Sequence, residues 1–260
     1  MARTRFIADP ITDFGIIGLS LGFGLVLDAL IGTGELTPQQ PNTSAKLISI
    51  DRNSVSRTPS KGWNTVSNVG LYSAAGFAVI APLISAYRFG GEAGWVDAIM
   101  FAETVSLTTS ATNLAKIAVR RPRPLAYQRQ AALEAQYGAG SPEAAVTGTD
   151  TALSFFSGHA STVASIGATA TYLSFARSPG TPWPWITLGA STAATVLTSY
   201  GRVAAGKHFP TDVIAGSLAG AAIGLMVPHL HRAQTAKQRP VWLGGNFSDR
   251  SGEVTVQGLF

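Results

Sequence analysis

Six apolar stretches set the limits on what this chain can fold into: Phe14 to Gly32, Gly70 to Tyr87, Trp95 to Ala115, Ala160 to Ala176, Trp183 to Tyr200 and Val213 to Leu230. A helix needs about 20 apolar residues to cross a bilayer, and each stretch comes near that length. The later stretches are heavy in Gly, Ala, Ser and Thr, as in ASTVASIGATATYLSFA and IAGSLAGAAIG. Such small residues let helices approach closely, in lipid or in water. Composition favours lipid: charged residues make up 13% of the chain, about half the share of a typical soluble domain. A mean hydropathy of +0.22 also accommodates a tightly packed soluble bundle. The first stretch follows MARTR, which suits a signal peptide or an anchoring helix. No A-x-A-like cleavage site comes after it, so the expectation is an anchor.

Two longer connections, Thr33 to Val69 and Arg120 to Phe155, are rich in Pro, Gly, Ser, Thr and charge, and read as loops with short surface helices such as QRQAALEAQYG. The tail VWLGGNFSDRSGEVTVQGLF alternates around Ser248 to Gly252 like a small hairpin. The expected fold is all-α: a helical bundle with a core of about six long apolar helices, read as transmembrane, plus a short hairpin-like C-terminal tail. Residues 1–69 read as an anchor helix with a polar loop, 70–232 as the helical core and 233–260 as the tail.

The 19 Lys and Arg against 14 Asp and Glu give a net charge of +5, which suits an acidic partner without choosing among phosphate, lipid and nucleic acid. There is no Cys, so disulfide and thiolate chemistry are excluded and the compartment stays open.

Three polar clusters lie at the ends of apolar stretches. In KIAVRRPRP, Lys116 precedes Arg123 and Pro124; alone, the run would be a solvated flank or a membrane-surface patch. In SFFSGHAST, His159 follows Ser157 and Gly158 where a helix begins, and alone would be a capping or core histidine. In SYGRVAAGKHFPTDVIAG, Arg202, His208 and Asp212 are spaced six and four apart, with Pro210 suited to the first turn of a helix. A His and an Asp four apart share a helical face, so the carboxylate can hold one ring nitrogen and leave the other free. Alone, this too could be an incidental ion pair on a surface turn.

Taken together and in this order, Lys-x6-Arg-Pro, Ser-Gly-His and Arg-x5-His-x3-Asp resemble the signature of the type 2 phosphatidic acid phosphatase superfamily, which also includes bacterial acid phosphatases and vanadium haloperoxidases. The resemblance covers Trp95 to Leu230. Phe156 stands where the family usually has Pro, and Gly201 where it usually has Ser. The first change bears on loop rigidity, and the second removes a hydroxyl contact.

The resemblance implies a metal-free phosphatase that uses no cofactor. Lys116, Arg123 and Arg202 would supply fixed positive charge to a phosphate, with the Ser157 hydroxyl and the Gly158 N–H as further donors at a helix N-terminus. His208 would attack phosphorus, with Asp212 fixing its tautomer. His159 would protonate the leaving alkoxide and then activate water. Arg120 and Arg121 match nothing in the motif and read as flank charges or charges that meet incoming substrate. The expected partner is a phosphate-bearing lipid in a membrane, not nucleic acid, and the oligomeric state is left open.

Six crossings would put the Lys116 to Phe156 and Tyr200 to Asp212 regions on one side and both termini on the other. Discounting the motif cations, the expectation is a bacterial inner membrane protein with its termini in the cytoplasm and its site facing the periplasm or exterior. The leading function is hydrolysis of a lipid phosphate or polyprenyl pyrophosphate through a phosphohistidine. A soluble or periplasmic broad-specificity acid phosphatase, a vanadate-dependent haloperoxidase and an inactive membrane scaffold are the alternatives.

Overall fold

Helix-starting and helix-stopping residues punctuate the chain where its apolar stretches begin and end. The Asp9 carboxylate accepts the Ile11 and Thr12 N–H groups at 3.1 and 3.4 Å ahead of Pro10, and the Ser60 hydroxyl accepts from Trp63 N–H at 3.3 Å. Gly90, at φ 99°, ends one long helix and lets the next start at once. A computed structural model describes residues 4–36, 39–41, 46–146 and 148–233, together with the backbone of 241–248 and 251–258. Among them are α1 (Pro10–Gly32), α2 (Ser49–Arg52), α3 (Lys61–Phe89), α4 (Gly91–Val119), α5 (Pro124–Tyr137), α6 (Gly158–Arg177), α7 (Trp183–Ala204) and α8 (Pro210–Leu230). Strands β1 (Val241–Ser248) and β2 (Ser251–Gly258) form the antiparallel hairpin read from the tail. Its turn, residues 249 and 250, lies outside the described residues.

The expectation of about six long helices needs two corrections. The Arg120 to Phe155 connection contains a full 14-residue helix, α5. Of the six long helices, only α1, α3 and α8 are long and apolar enough to cross a membrane. The physical reason lies in the packing. α4 buries Glu103, Thr104, Ser106, Thr108, Ser110, Thr112 and Asn113 against its neighbours, and most of these polar side chains find partners inside the bundle. Ser20 donates to Ser106 at 2.8 Å, Ser110 to the Ser20 carbonyl at 2.5 Å, and Thr104 and Thr169 share a bond at 3.1 Å. The outward faces are apolar: Leu19 and Leu25 of α1, Tyr72 and Val79 of α3, Trp185 of α7 and Leu218 of α8 are all exposed. Exposed apolar faces of this kind are compatible with a membrane protein.

At the centre, α6 is packed most closely against α8. Gly216, Gly220 and Gly224 recur every four residues on α8, and a Cβ at any of them would run into the Ser157, Ser161 or Ser165 carbonyl of α6. The small-residue stripe therefore sets how near these two helices lie, and with it the spacing of the polar groups at their ends.

The long helices run alternately. Residues ahead of α1 sit against the ends of α6 and α8, through Thr4 N–H to the Ala176 carbonyl at 3.0 Å and Ile7 N–H to the His231 carbonyl at 2.8 Å. The opposite end gathers the starts of α3, α6 and α8 and the ends of α4 and α7. α3 begins at Lys61, so the residue 69/70 boundary drawn from the sequence falls inside a helix.

Candidate active site

The three polar clusters meet at that second end. Lys116 lies in the last turn of α4, Arg123 is the N-cap of α5, Ser157 is the N-cap of α6, and Gly158 and His159 are its first residues. Arg202 lies in the last turn of α7, His208 in the short loop that follows, and Asp212 in the first turn of α8. The Ser157 hydroxyl accepts from Ala160 N–H at 3.5 Å. A Cβ on Gly158 would lie 3.3 Å from Thr112 Cγ2 and 3.8 Å from Lys116 Nζ, so the ammonium stands close over the start of α6. Both histidines feel the charges of Lys116, Arg123 and Arg202.

The support of His208 differs from the sequence reading. Its Nδ1 faces the Ser154 carbonyl at 2.7 Å, so Nδ1–H donates there and Nε2 is left free. Asp212 Oδ2 stands 3.9 Å from Nδ1, beyond hydrogen-bond reach. That oxygen accepts instead from the Ser154 hydroxyl at 2.5 Å and from Phe209 N–H at 2.8 Å. Asp212 therefore holds the histidine at second hand, by fixing Ser154 and the loop that carries the ring. A shared helical face is not available to this pair, because His208 precedes the helix.

Arg121 is also placed differently. Read from the sequence as a flank charge, it donates to Asp212 Oδ1 at 2.5 Å, to Asp51 Oδ2 at 2.7 Å and to Thr211 Oγ1 at 2.7 Å. Asp51, fully buried in the single turn of α2, also accepts from the Thr211 N–H at 3.2 Å and from its hydroxyl at 2.7 Å. This network locks the start of α8 from behind. Arg120, at φ 48°, stays exposed at the end of α4.

α3 contributes two residues that no motif announced. Asn64 Oδ1 accepts from Arg202 Nη1 at 3.1 Å, and one turn later Asn68 Oδ1 accepts from His159 Nε2 at 2.9 Å. Their spacing of four was the available signal, but it lay in a segment read as loop. Gly201 explains itself here: a Cβ would sit 2.8 Å from the Trp63 carbonyl and 3.0 Å from Ser67 Cβ, so its small size lets α7 close on α3.

The cluster is arranged for an anion. Arg123 pairs with the exposed Asp150 at 3.0 Å, yet its buried Nε has no hydrogen-bond partner, and neither does the buried Nε of Arg202. Such orphaned donors are costly unless a ligand accepts from them. Burial first, then Arg123 and Arg202, push His208 well below the usual histidine range, against the pull of the Ser154 carbonyl. His159, just ahead of the apolar part of α6, is lowered to about 4 by burial, Arg202, Lys116 and Arg123. Both rings are therefore neutral near pH 7. A metal is poorly served, since both Asp212 oxygens are committed and three cations crowd the space.

A cationic cage at a helix start, with two neutral imidazoles, is a chemistry suited to an anion such as phosphate. The family model of the PAP2 superfamily matches residues 97–236, more than half of the chain, and the protein belongs to that superfamily. Neither the curated proteins nor the solved structures give a match. Membership supports phosphatase-type activity on a phosphate-bearing substrate, and the three apolar helices fit a membrane protein.

Proposed function

We propose that the protein is a membrane phosphatase for a lipid phosphate or polyprenyl pyrophosphate. The observation that carries the reading is an apolar groove of about 620 Å³ between α3, α6 and α7, lined by Thr65, Val66, Val69, Phe77, Ile166 and Trp183 among others. Its first residues alternate along α3 with Asn64 and Asn68, which touch Arg202 and His159. A phosphate held by the cations would have its hydrocarbon tail entering this groove. The exposed apolar belt favours the same reading over a soluble acid phosphatase.

Lys116, Arg123, Arg202, Ser157 and the Gly158 N–H bind the phosphoryl oxygens, whose charge grows and spreads in the transition state. His208 Nε2 attacks phosphorus as the P–O bond to the leaving group breaks, and His159 gives its proton to the departing alkoxide of a lipid phosphate or the departing lipid phosphate of a pyrophosphate. His159 then takes a proton from water, the hydroxide attacks phosphorus, and the P–N bond breaks to release phosphate. Because His159 is neutral in the empty site, its proton arrives with the substrate, whose negative charge offsets the three cations. The site end faces the exterior of a bacterial inner membrane, opposite the termini.

Phosphate release in detergent from lipid phosphates and p-nitrophenyl phosphate tests this. Lipids should give the higher kcat/KM, unchanged by chelation, and Ala194→Trp in the groove should reduce turnover of lipids alone. Equal use of both substrates, or activity restored only by added metal, would overturn it. Vanadate-dependent bromide oxidation would point to haloperoxidase chemistry instead.

A further inference from the structure

The two site histidines are held by opposite ring nitrogens. His208 gives its Nδ1 proton to the Ser154 carbonyl at 2.7 Å and keeps Nε2 open. His159 is turned the other way, with Nε2 donating to Asn68 Oδ1 at 2.9 Å. Its Nδ1 makes no hydrogen bond among the described residues and is not one of the buried polar atoms left without a partner, so a ligand can reach it. Packing builds Asn68 into place. α3 starts where the Ser60 N–H meets the Ala204 carbonyl of α7 at 3.0 Å, and Trp63 lies edge-on to Tyr200 with ring centroids 4.7 Å apart. One turn apart on the same face of α3, Asn64 and Asn68 then meet Arg202 at 3.1 Å and His159 at 2.9 Å.

The residue type at this position has a chemical reason. A histidine that acts as an acid carries a proton on both nitrogens before it gives one up, so the nitrogen facing away from the leaving group needs an acceptor. A carboxylate could accept, but its charge would compete with a phosphate for Lys116, Arg123 and Arg202, the three cations whose charges bear on this ring. The Asn68 amide oxygen accepts without adding charge. The Ser154 carbonyl does the same for His208, so each ring is oriented by a neutral oxygen and the cage keeps its positive charge.

We propose that Asn68 is a positioning residue for proton transfer: it holds the Nε2 proton of His159, so that the proton given to the leaving group, and later the one taken from water, both pass through Nδ1. The role rests on the phosphatase reading, whereas the tautomer can be read without it. In the full chain in detergent with nitrogen-15 histidine, the His159 signals, identified by their loss in His159→Ala, should show near pH 7 a protonated Nε2 and a bare Nδ1. Asn68→Leu should replace that single form by a mixture of tautomers. The same variant should lower kcat for alkyl lipid phosphates by about tenfold or more with KM little changed, a part of the roughly 10²–10⁴-fold that a general acid supplies. Added to His159→Ala, it should cost less than about twofold, because a residue acting through His159 has nothing left to position. A bare Nε2 in the wild type would overturn the proposal, and that measurement needs no variant to fold. Equal losses from Asn68→Leu with and without His159 would overturn it too. A wild type that releases no phosphate from any substrate would instead overturn the phosphatase reading, and the role of Asn68 with it, whatever the spectrum shows.

Discussion

Arg121 and Arg123 stand two residues apart on opposite sides of one functional wall. Behind His208, Arg121 is fully engaged by Asp51, Asp212 and Thr211. In front of it, Arg123 and Arg202 keep buried donors with no partner, and Asp150 offers only a single exposed carboxylate. The difference separates a charge bound into the fold from charges that, in the proposed function, meet the phosphate. A buried pair is costly to break because the surviving carboxylates remain uncompensated, whereas removing one of three crowded cations relieves repulsion.

The largest expected effect lies at the centre of the wall. His208→Ala should lower turnover of every substrate by about 10⁴-fold or more, as loss of a nucleophile does. Vanadate should stabilise the wild type more than phosphate, because the cage suits a five-coordinate oxyanion, and His208→Ala should lose most of that preference. Thermal shifts with each anion would read it. An unchanged vanadate preference would assign the nucleophile elsewhere.

Exchanging the two arginines sharpens the contrast. Arg123→Ala should reduce kcat/KM by about 10²–10³-fold with Tm held or raised. Arg121→Ala should cost about 3–5 kcal/mol of stability, read as a lower midpoint in denaturant. If Arg123→Ala melts as Arg121→Ala does, the division between the two sides fails.

A smaller, substrate-dependent effect is expected at His159. His159→Ala should slow alkyl lipid phosphates by about 10²–10⁴-fold and p-nitrophenyl phosphate much less, since a good leaving group needs no proton. Equal losses on both would remove His159 as the acid.

The smallest effect is in pH. The unfolded chain takes a proton on each histidine below about 6.5, while folded His159 refuses one until about 4. Stability without ligand should therefore fall as pH drops through that window, and folded His208, also depressed, adds to the slope. Bound phosphate should flatten it. Thermal melts from pH 7 to pH 4 with and without phosphate would show this, and identical slopes would mean that the rings are not held neutral by the cage.

Much of this arrangement was legible in residue types and spacing. Apolar length and small-residue content announced long packed helices, and the three motifs supplied Lys116, Arg123, His159, Arg202 and His208 at their ends. Local spacing misled where it assumed a helix that had not begun, as with His208 and Asp212. It also passed over Asn64 and Asn68, because Lys61 to Val69 is too polar to resemble the apolar helix it starts.

By itself, then, the sequence determined that the chain is a bundle of long helices and that it belongs to a phosphatase-type superfamily. These depend on composition and on neighbours a few residues away. Only tertiary structure decided which arginine is structural and which is open, that a backbone carbonyl rather than a carboxylate sets the His208 tautomer, and that Asp51 and Asn68 reach the site. Asp51 meets Thr211 across 160 residues and Asn68 meets His159 across 91. Such pairings follow from how closely helices pack and which ends coincide, and no local pattern encodes them.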